Sequence, residues 1–385
     1  MVDGLSGAGA EPRERRILMV AGETSGDTHA ARLVRALRAR GPVRVRAVAG
    51  PALRAEGAET IVPQEALAVI GFSGVLSRLP QLFAARAALL SELETFRPDA
   101  VVLVDYPGFN LRLGPELKRR GARIFYYIAP QVWAWHPERA REMARWVDRL
   151  AVVFPFEEAI FRDAGVPVTF VGHPLLDDLA PEVDERTLRG ELGCGADAPI
   201  LGLLPGSRRG ELSALAPPLI EAATRLAARR PGLVAVLALA PSLEEASLPA
   251  GLRGRVRVVR GRTHAVQAYA TVCAVASGTA TLETAIFGTP HVIVYRTGRL
   301  NYELARRLIR LSHIGLPNIV AGREVSPELI QDALSPDALV AALEPCLADP
   351  VERARRSAAL AVVRERLGGP GASMRAAEAL WELAS

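Results

Sequence analysis

Lysine is almost missing from this chain. Of its 47 lysine and arginine residues, Lys118 is the one lysine. That bias goes with richness in Ala, Gly and Pro, so little function follows from it. Aromatic residues make up 5% of the chain. Cysteine is scarce: Cys194, Cys273 and Cys346 lie far apart, with no C-x-x-C pair. An odd, scattered set excludes a disulfide frame and a thiolate zinc site, and points to buried thiols in a reducing compartment. No H-E-x-x-H or paired Asp/His set offers a metal site, and no G-x-S-x-G offers a hydrolase elbow. No uncharged apolar run approaches the ~18 residues of a membrane-spanning helix. The first residues, MVDGLSGAGAEPRERR, lack the apolar stretch of a signal peptide and read as a disordered lead-in over 1–15.

What is there is globular. The 385 residues are 50% hydrophobic and 23% charged, with mean hydropathy +0.17. Such a length suits roughly two to three domains and buries about three quarters of the unfolded surface without staples. The net charge of +5 and pI of about 9.5 suit an anionic partner, whether nucleotide phosphate, acidic lipid headgroup or nucleic acid. The basic residues are spread out and fit no nucleic-acid-binding module.

Short apolar runs alternate with amphipathic ones. Strands are predicted at 16–22, 43–50, within AEGAETIVP, and at 100–108, 122–130, 148–156 and 167–175. From about 186 the pattern restarts, with a strand in APILGLLPG and others at 233–241, 256–261, 272–278 and 290–296. Strand–helix alternation of this kind predicts doubly wound parallel sheets. The expected organisation is an α/β domain over 16–185, a second over 186–350, and C-terminal helices over 351–385. Ligands of such sheets bind at the C-terminal ends of the strands, so two facing domains would line one cleft.

The unusual residues gather at those ends. AGETSGD (21–27) joins a strand to a helix, where Ser25 and Asp27 can cap the helix or bind a polar ligand. It is not G-x-G-x-x-G, so a dinucleotide site is unsupported. Asp105 in VDYPGFN follows an apolar strand. It is either a partly desolvated base or a turn former before Pro-Gly. In LLPGSRRGE, Arg208 stands at a helix N-terminus, either to receive a diphosphate or to make a surface salt bridge. Ser277 and Thr279 flank Gly278 in ASGTATLE, a compact phosphate nest with Glu283 in reach of a ribose; the plainer reading is an N-cap and a solvated Glu. His173 in FVGHP stands alone, and for a lone His the structural reading is the stronger. The run 66–83 is core, or else a surface that dips into a bilayer. YYIAPQVWAW (126–135) concentrates two of the four Trp, Trp133 and Trp135, beside Pro130.

AGETSGD, DYPGFN, YYIAPQVWAW, FPFE with VTFVGHPL, LPGSRRGE, ASGTATLE and LPNIVAGRE occur in that order. Together they resemble the lipid-A-disaccharide synthase family, from about residue 16 to the C-terminal helices. The resemblance implies a GT-B glycosyltransferase of two Rossmann-like domains. It implies transfer from UDP-2,3-diacylglucosamine to 2,3-diacylglucosamine 1-phosphate (lipid X), giving a β(1→6) disaccharide 1-phosphate and UDP. Inversion without a metal or cofactor, work at the cytosolic face of the inner membrane, and a homodimer with exchanged C-terminal segments are implied with it. Position by position, Asp105 matches the candidate general base. Glu23, Ser25, Asn110, Trp133, His173 and Asn318 match acceptor-side and cleft positions. Arg208, Ser277, Gly278, Thr279 and Glu283 match the UDP site. Gly108 stands where some relatives carry a second carboxylate, which leaves Asp105 the one acid of its turn. The rival readings are another UDP-GlcNAc-type GT-B enzyme (a muramyl-lipid N-acetylglucosaminyltransferase or a UDP-GlcNAc 2-epimerase) and a non-enzymatic nucleotide or membrane-surface module.

Overall fold

A computed structural model describes residues 13–67, 75–132, 138–298, 302–303 and 312–385, with the side chains of 75–79 and 250 outside the description. The chain divides into two compact units, 1–177 with 370–385, and 178–369.

The first unit is built on seven parallel strands: β1 (Arg15–Ala21), β2 (Val43–Ala49), β3 (Glu59–Pro63), β4 (Ala100–Val104), β5 (Ile124–Tyr127), β6 (Arg149–Val152) and β7 (Val168–Phe170), in the order β3-β2-β1-β4-β5-β6-β7. The central strands read as unbroken apolar runs because helices cover both faces. All five residues of β4 are buried, as are the last five of β1. The order reverses direction between β1 and β4, which pair directly. AGETSGD leaves β1 and VDYPGFN leaves β4, so both motifs sit at the switch point where such sheets bind ligands.

The second unit repeats the plan with six strands: β8 (Ile200–Leu204), β9 (Val234–Leu239), β10 (Arg257–Arg260), β11 (Val272–Ala276), β12 (His291–Tyr295) and β13 (Glu328–Ile330), in the order β10-β9-β8-β11-β12-β13. Its switch point lies between β8 and β11, where PGSRR and SGT emerge. The predicted strands are all present. β13 is an addition; its three half-buried residues are too few to show a period.

The last helices part company. Pro350–Arg366 packs within the second unit, while Ala372–Leu383 packs on the helix Thr24–Arg38 of the first. Asp177 makes the second attachment. Its carboxylate accepts from the amides of Gly371 (2.6 Å), Ala372 (3.2 Å) and Ser373 (3.3 Å), so it caps a helix almost two hundred residues away.

Candidate active site

The turn after β4 is strained. Asp105 and Tyr106 both have left-handed backbones, at φ +44° and +47°. Two such non-glycine residues in succession persist only where the surroundings impose them. Here the Asp105 amide donates to the Tyr127 carbonyl (3.0 Å). Its own carbonyl accepts from the Asn110 amide (2.8 Å) and the Tyr126 hydroxyl (2.7 Å). The Tyr106 hydroxyl donates to the Leu67 carbonyl (2.8 Å), and its ring lies over Gly22. A Cβ on Gly22 would meet that ring at 2.2 Å. AGETSGD therefore needs glycine at 22 to leave room for the Asp105 turn.

These bonds hold the backbone of the turn. Burial, and then the charge of Glu23, push the Asp105 carboxyl from 3.8 up to about 6; a hydrogen bond from the Tyr106 backbone opposes them. Gly108 is an open position, where an added Cβ would meet nothing within 4 Å, and the second acid acting on Asp105 is Glu23. Asp105 opens into a cavity of about 470 Å³ whose other charged residue, among the described ones, is Arg139 and whose walls include Leu111, Ile128 and Phe154. Residues 129–132 of the aromatic segment line it too. Trp133 and Trp135 lie outside the described residues.

The other first-unit candidates separate by burial. Glu23 and Ser25 are exposed, and Ser25 caps nothing. Asp27, expected to cap its own helix, is buried and caps the helix Pro51–Ala55 instead, accepting from Gly50 and Ala52 at 2.8 Å each. Asn110 is fully buried and braces the Asp105 carbonyl. His173 is buried against Phe154, with ring centroids 5.1 Å apart. Its Nδ1 accepts from the Leu175 amide (3.2 Å), and burial followed by the charge of His29 lowers its pKa to about 3. It is therefore a neutral, oriented ring near neutral pH.

In the second unit, Arg208, Ser277, Gly278, Thr279 and Glu283 all line one cavity of about 480 Å³. Gly278 has φ +154°, a conformation L side chains rarely adopt, and it starts the helix Thr279–Phe287. Glu283 accepts from the buried Gln267 amide (3.1 Å). Two residues of this cavity went unread in the sequence. His264 stands between Glu182 (3.6 Å) and Glu283 (3.8 Å), and Glu182 accepts from the amides of His264 and Ala265. Only the fold brings residue 182 to residue 264.

Of the two readings of Arg208, the structure shows the surface salt bridge, to Glu211. The amides of Ser207 and Arg208 donate to Glu211 (3.0 and 3.2 Å), so the chain's own carboxylate fills the helix N-terminus. The Arg208 side chain is 83% exposed and pairs with Glu211 at 3.0 Å. Asn318 differs from expectation. It is fully buried, its oxygen accepting from Val325 and Ser326 and its nitrogen donating to Ser326 and Glu328. With every polar valence used, it braces the turn before β13.

The sequence matches the family model for lipid-A-disaccharide synthetase over residues 17–378. The chain belongs to the lipid-A-disaccharide synthase family. A lipid-A-disaccharide synthase of Geobacter metallireducens is 43% identical over 373 residues, covering 96% of this chain and 97% of that protein. Among solved structures, the glycosyltransferase of kitacinnamycin superposes with TM-score 0.63 at 19% identity, covering 97% of this chain and all of that one. A putative UDP-N-acetylglucosamine 2-epimerase from Listeria monocytogenes gives TM-score 0.65 at 14% identity, covering 94% and 95%. Likeness at such low identity shows the fold, which is GT-B. The sequence match to the family makes this chain a glycosyltransferase and disfavours the rival UDP-sugar readings.

Proposed function

We propose that the chain transfers 2,3-diacylglucosamine from its UDP derivative to 2,3-diacylglucosamine 1-phosphate, with Asp105 as general base. The observation that carries this is the half-buried Asp105 carboxyl at the switch point of the first sheet, with a pKa raised to about 6. A base of that pKa is ionised at neutral pH and still takes a proton. The acceptor's 6-hydroxyl oxygen attacks the donor's anomeric carbon as its proton passes to Asp105. The bond from that carbon to the diphosphate breaks, and UDP leaves with the electron pair. Attack opposite the leaving group turns an α-linked donor into a β-linked product. In the second unit, the Ser277–Thr279 nest and the Arg208 guanidinium would stabilise the leaving diphosphate, and Glu283 would accept from the ribose.

The test is UDP release by the purified chain. The proposal expects release only when both acylated sugars are present; release from UDP-N-acetylglucosamine alone would contradict it. Two further results are expected. Below pH 6 kcat/KM falls about tenfold per pH unit, because protonation removes the base, and it levels above; a profile flat from pH 5 to 8 would exclude Asp105. Glu283→Ala weakens UDP binding about tenfold or more, the loss of a charge-assisted hydrogen bond; titration calorimetry giving an unchanged Kd would remove Glu283 from the donor site.

Among the described residues no helix is long and apolar enough to cross a membrane. We propose attachment to the cytosolic face of the inner membrane through the 66–83 segment. Residues 68–74 lie outside the description, but Phe83, at the segment's end, is 62% exposed, as a side chain entering an interface would be. The homodimer with exchanged C-terminal segments belongs to the same proposal; the separately docked helix Ala372–Leu383 is an element of the kind that such dimers exchange.

A further inference from the structure

A second cavity in the first unit, of about 630 Å³, runs between the helix Pro107–Arg119 and residues 139–146. It shares Pro107, Leu111 and Arg139 with the Asp105 cavity, so the two adjoin. Among the described residues, five basic side chains line it, from Arg112, Lys118, Arg119, Arg139 and Arg145, against one carboxylate, Glu142. Lys118 is held by Asp148 at 2.5 Å. The four arginines are exposed, and none makes an ion pair with a described residue at 4 Å or less. Positive charge gathered in such excess repels itself, which an arriving anion relieves. The floor is apolar: Met143 and Trp146 are buried, and the Trp146 ring rests on Gly114, where a Cβ would meet it at 2.2 Å. A merely solvated basic face would have neither this floor nor a shared wall with the proposed base.

We propose that this cavity binds the phosphate of the acceptor, a sugar phosphomonoester, with Arg139 as its main contact and Arg112 assisting. This rests on the reading of Asp105 as the base. The 6-hydroxyl and the anomeric phosphate lie at opposite ends of one sugar ring, and Arg139 and Asp105 line one cavity. A guanidinium fork suits phosphate bidentately. Arg139 is a specificity residue: it chooses a phosphorylated acceptor over the same sugar without phosphate.

The experiment compares 2,3-diacylglucosamine 1-phosphate with its unphosphorylated counterpart as acceptors, using the full chain, Arg139→Ala, Arg139→Lys and Arg112→Ala/Arg139→Ala. For Arg139→Ala the KM for the phosphorylated acceptor rises roughly tenfold or more, while kcat, the KM for the UDP-sugar and the unphosphorylated reaction change less than about threefold. The double variant loses more, and Arg139→Lys recovers part by keeping the charge without the fork. An unchanged KM, or an equal loss on both acceptors, overturns the proposal. Sedimentation with phosphatidylglycerol-containing vesicles separates the other anion source. If the variants lose vesicle binding and keep acceptor discrimination, the charge serves lipid headgroups and the proposal is wrong. Turnover by the unaltered chain with neither acceptor would overturn the reading of Asp105 and this proposal together, whereas good turnover with an unmoved KM removes only this one.

Discussion

Asp105→Asn is expected to lower kcat by about 10²–10⁴-fold, the usual worth of a positioned general base, and to make the protein more stable. The two effects share one cause. The carboxylate is half-buried beside the charge of Glu23, and its pKa stands at about 6 against an ordinary 3.8. A carboxyl whose folded pKa is raised binds its proton more tightly in the native state. Stability from this group therefore falls as pH rises from 3.8 to about 6, and stays at the lower level above that. The two pKa units correspond to roughly 3 kcal/mol at most, which the neutral amide recovers at pH 7. An amide cannot take the proton, so turnover is lost. Thermal melts at pH 7 and pH 4, beside turnover, check both signs: the variant's advantage should be large at pH 7 and small at pH 4. A variant that is inactive because it is unfolded, or active at near wild-type rate, contradicts the assignment.

A chain ending at Gly369 is expected to lose all disaccharide synthesis while keeping UDP affinity. The helix Ala372–Leu383 lies after the whole second unit in sequence and belongs to the first in space. It buries Leu380 and four alanines, Ala372, Ala376, Ala377 and Ala379. Leu380 contributes about 2 kcal/mol and each alanine methyl about 0.8, so roughly 5 kcal/mol is lost. Trp381 under Arg15 (4.4 Å) and the Arg375–Val171 hydrogen bond (2.7 Å) go with it. A domain's whole stability is about 5–15 kcal/mol, so the first unit should unfold or become protease-sensitive. The second unit contains every residue of the 480 Å³ cavity and should still bind UDP. Calorimetric UDP titration and limited proteolysis check this. Near wild-type synthesis by the truncated chain would show that the helix is dispensable.

The sheets were legible because buried parallel strands write themselves as apolar runs, as AVVLV does in β4 and VCAVA in β11. The switch-point residues Asp105 and Ser277–Thr279 were legible because chemistry-bearing types stand directly after such runs. The Glu211 bond to the helix start was within reach, since a Glu three residues after an N-cap commonly accepts from its amide. What stayed hidden was long-range. Asp27 serves Gly50 and Ala52, Asp177 serves Gly371, and Glu182 serves His264. Each is a carboxylate satisfying another segment's amides, and no spacing along the chain encodes such a partner. The raised Asp105 pKa was inferable as a direction from the apolar strand before it, but the share of Glu23 depends on the β1–β4 pairing.

The most direct test is the product itself. The purified chain, given UDP-2,3-diacylglucosamine and 2,3-diacylglucosamine 1-phosphate, should yield one tetraacylated disaccharide monophosphate by mass spectrometry. Its NMR spectrum should show a β(1→6) linkage. An α linkage, transfer to another hydroxyl, or UDP formed without any disaccharide would contradict the account.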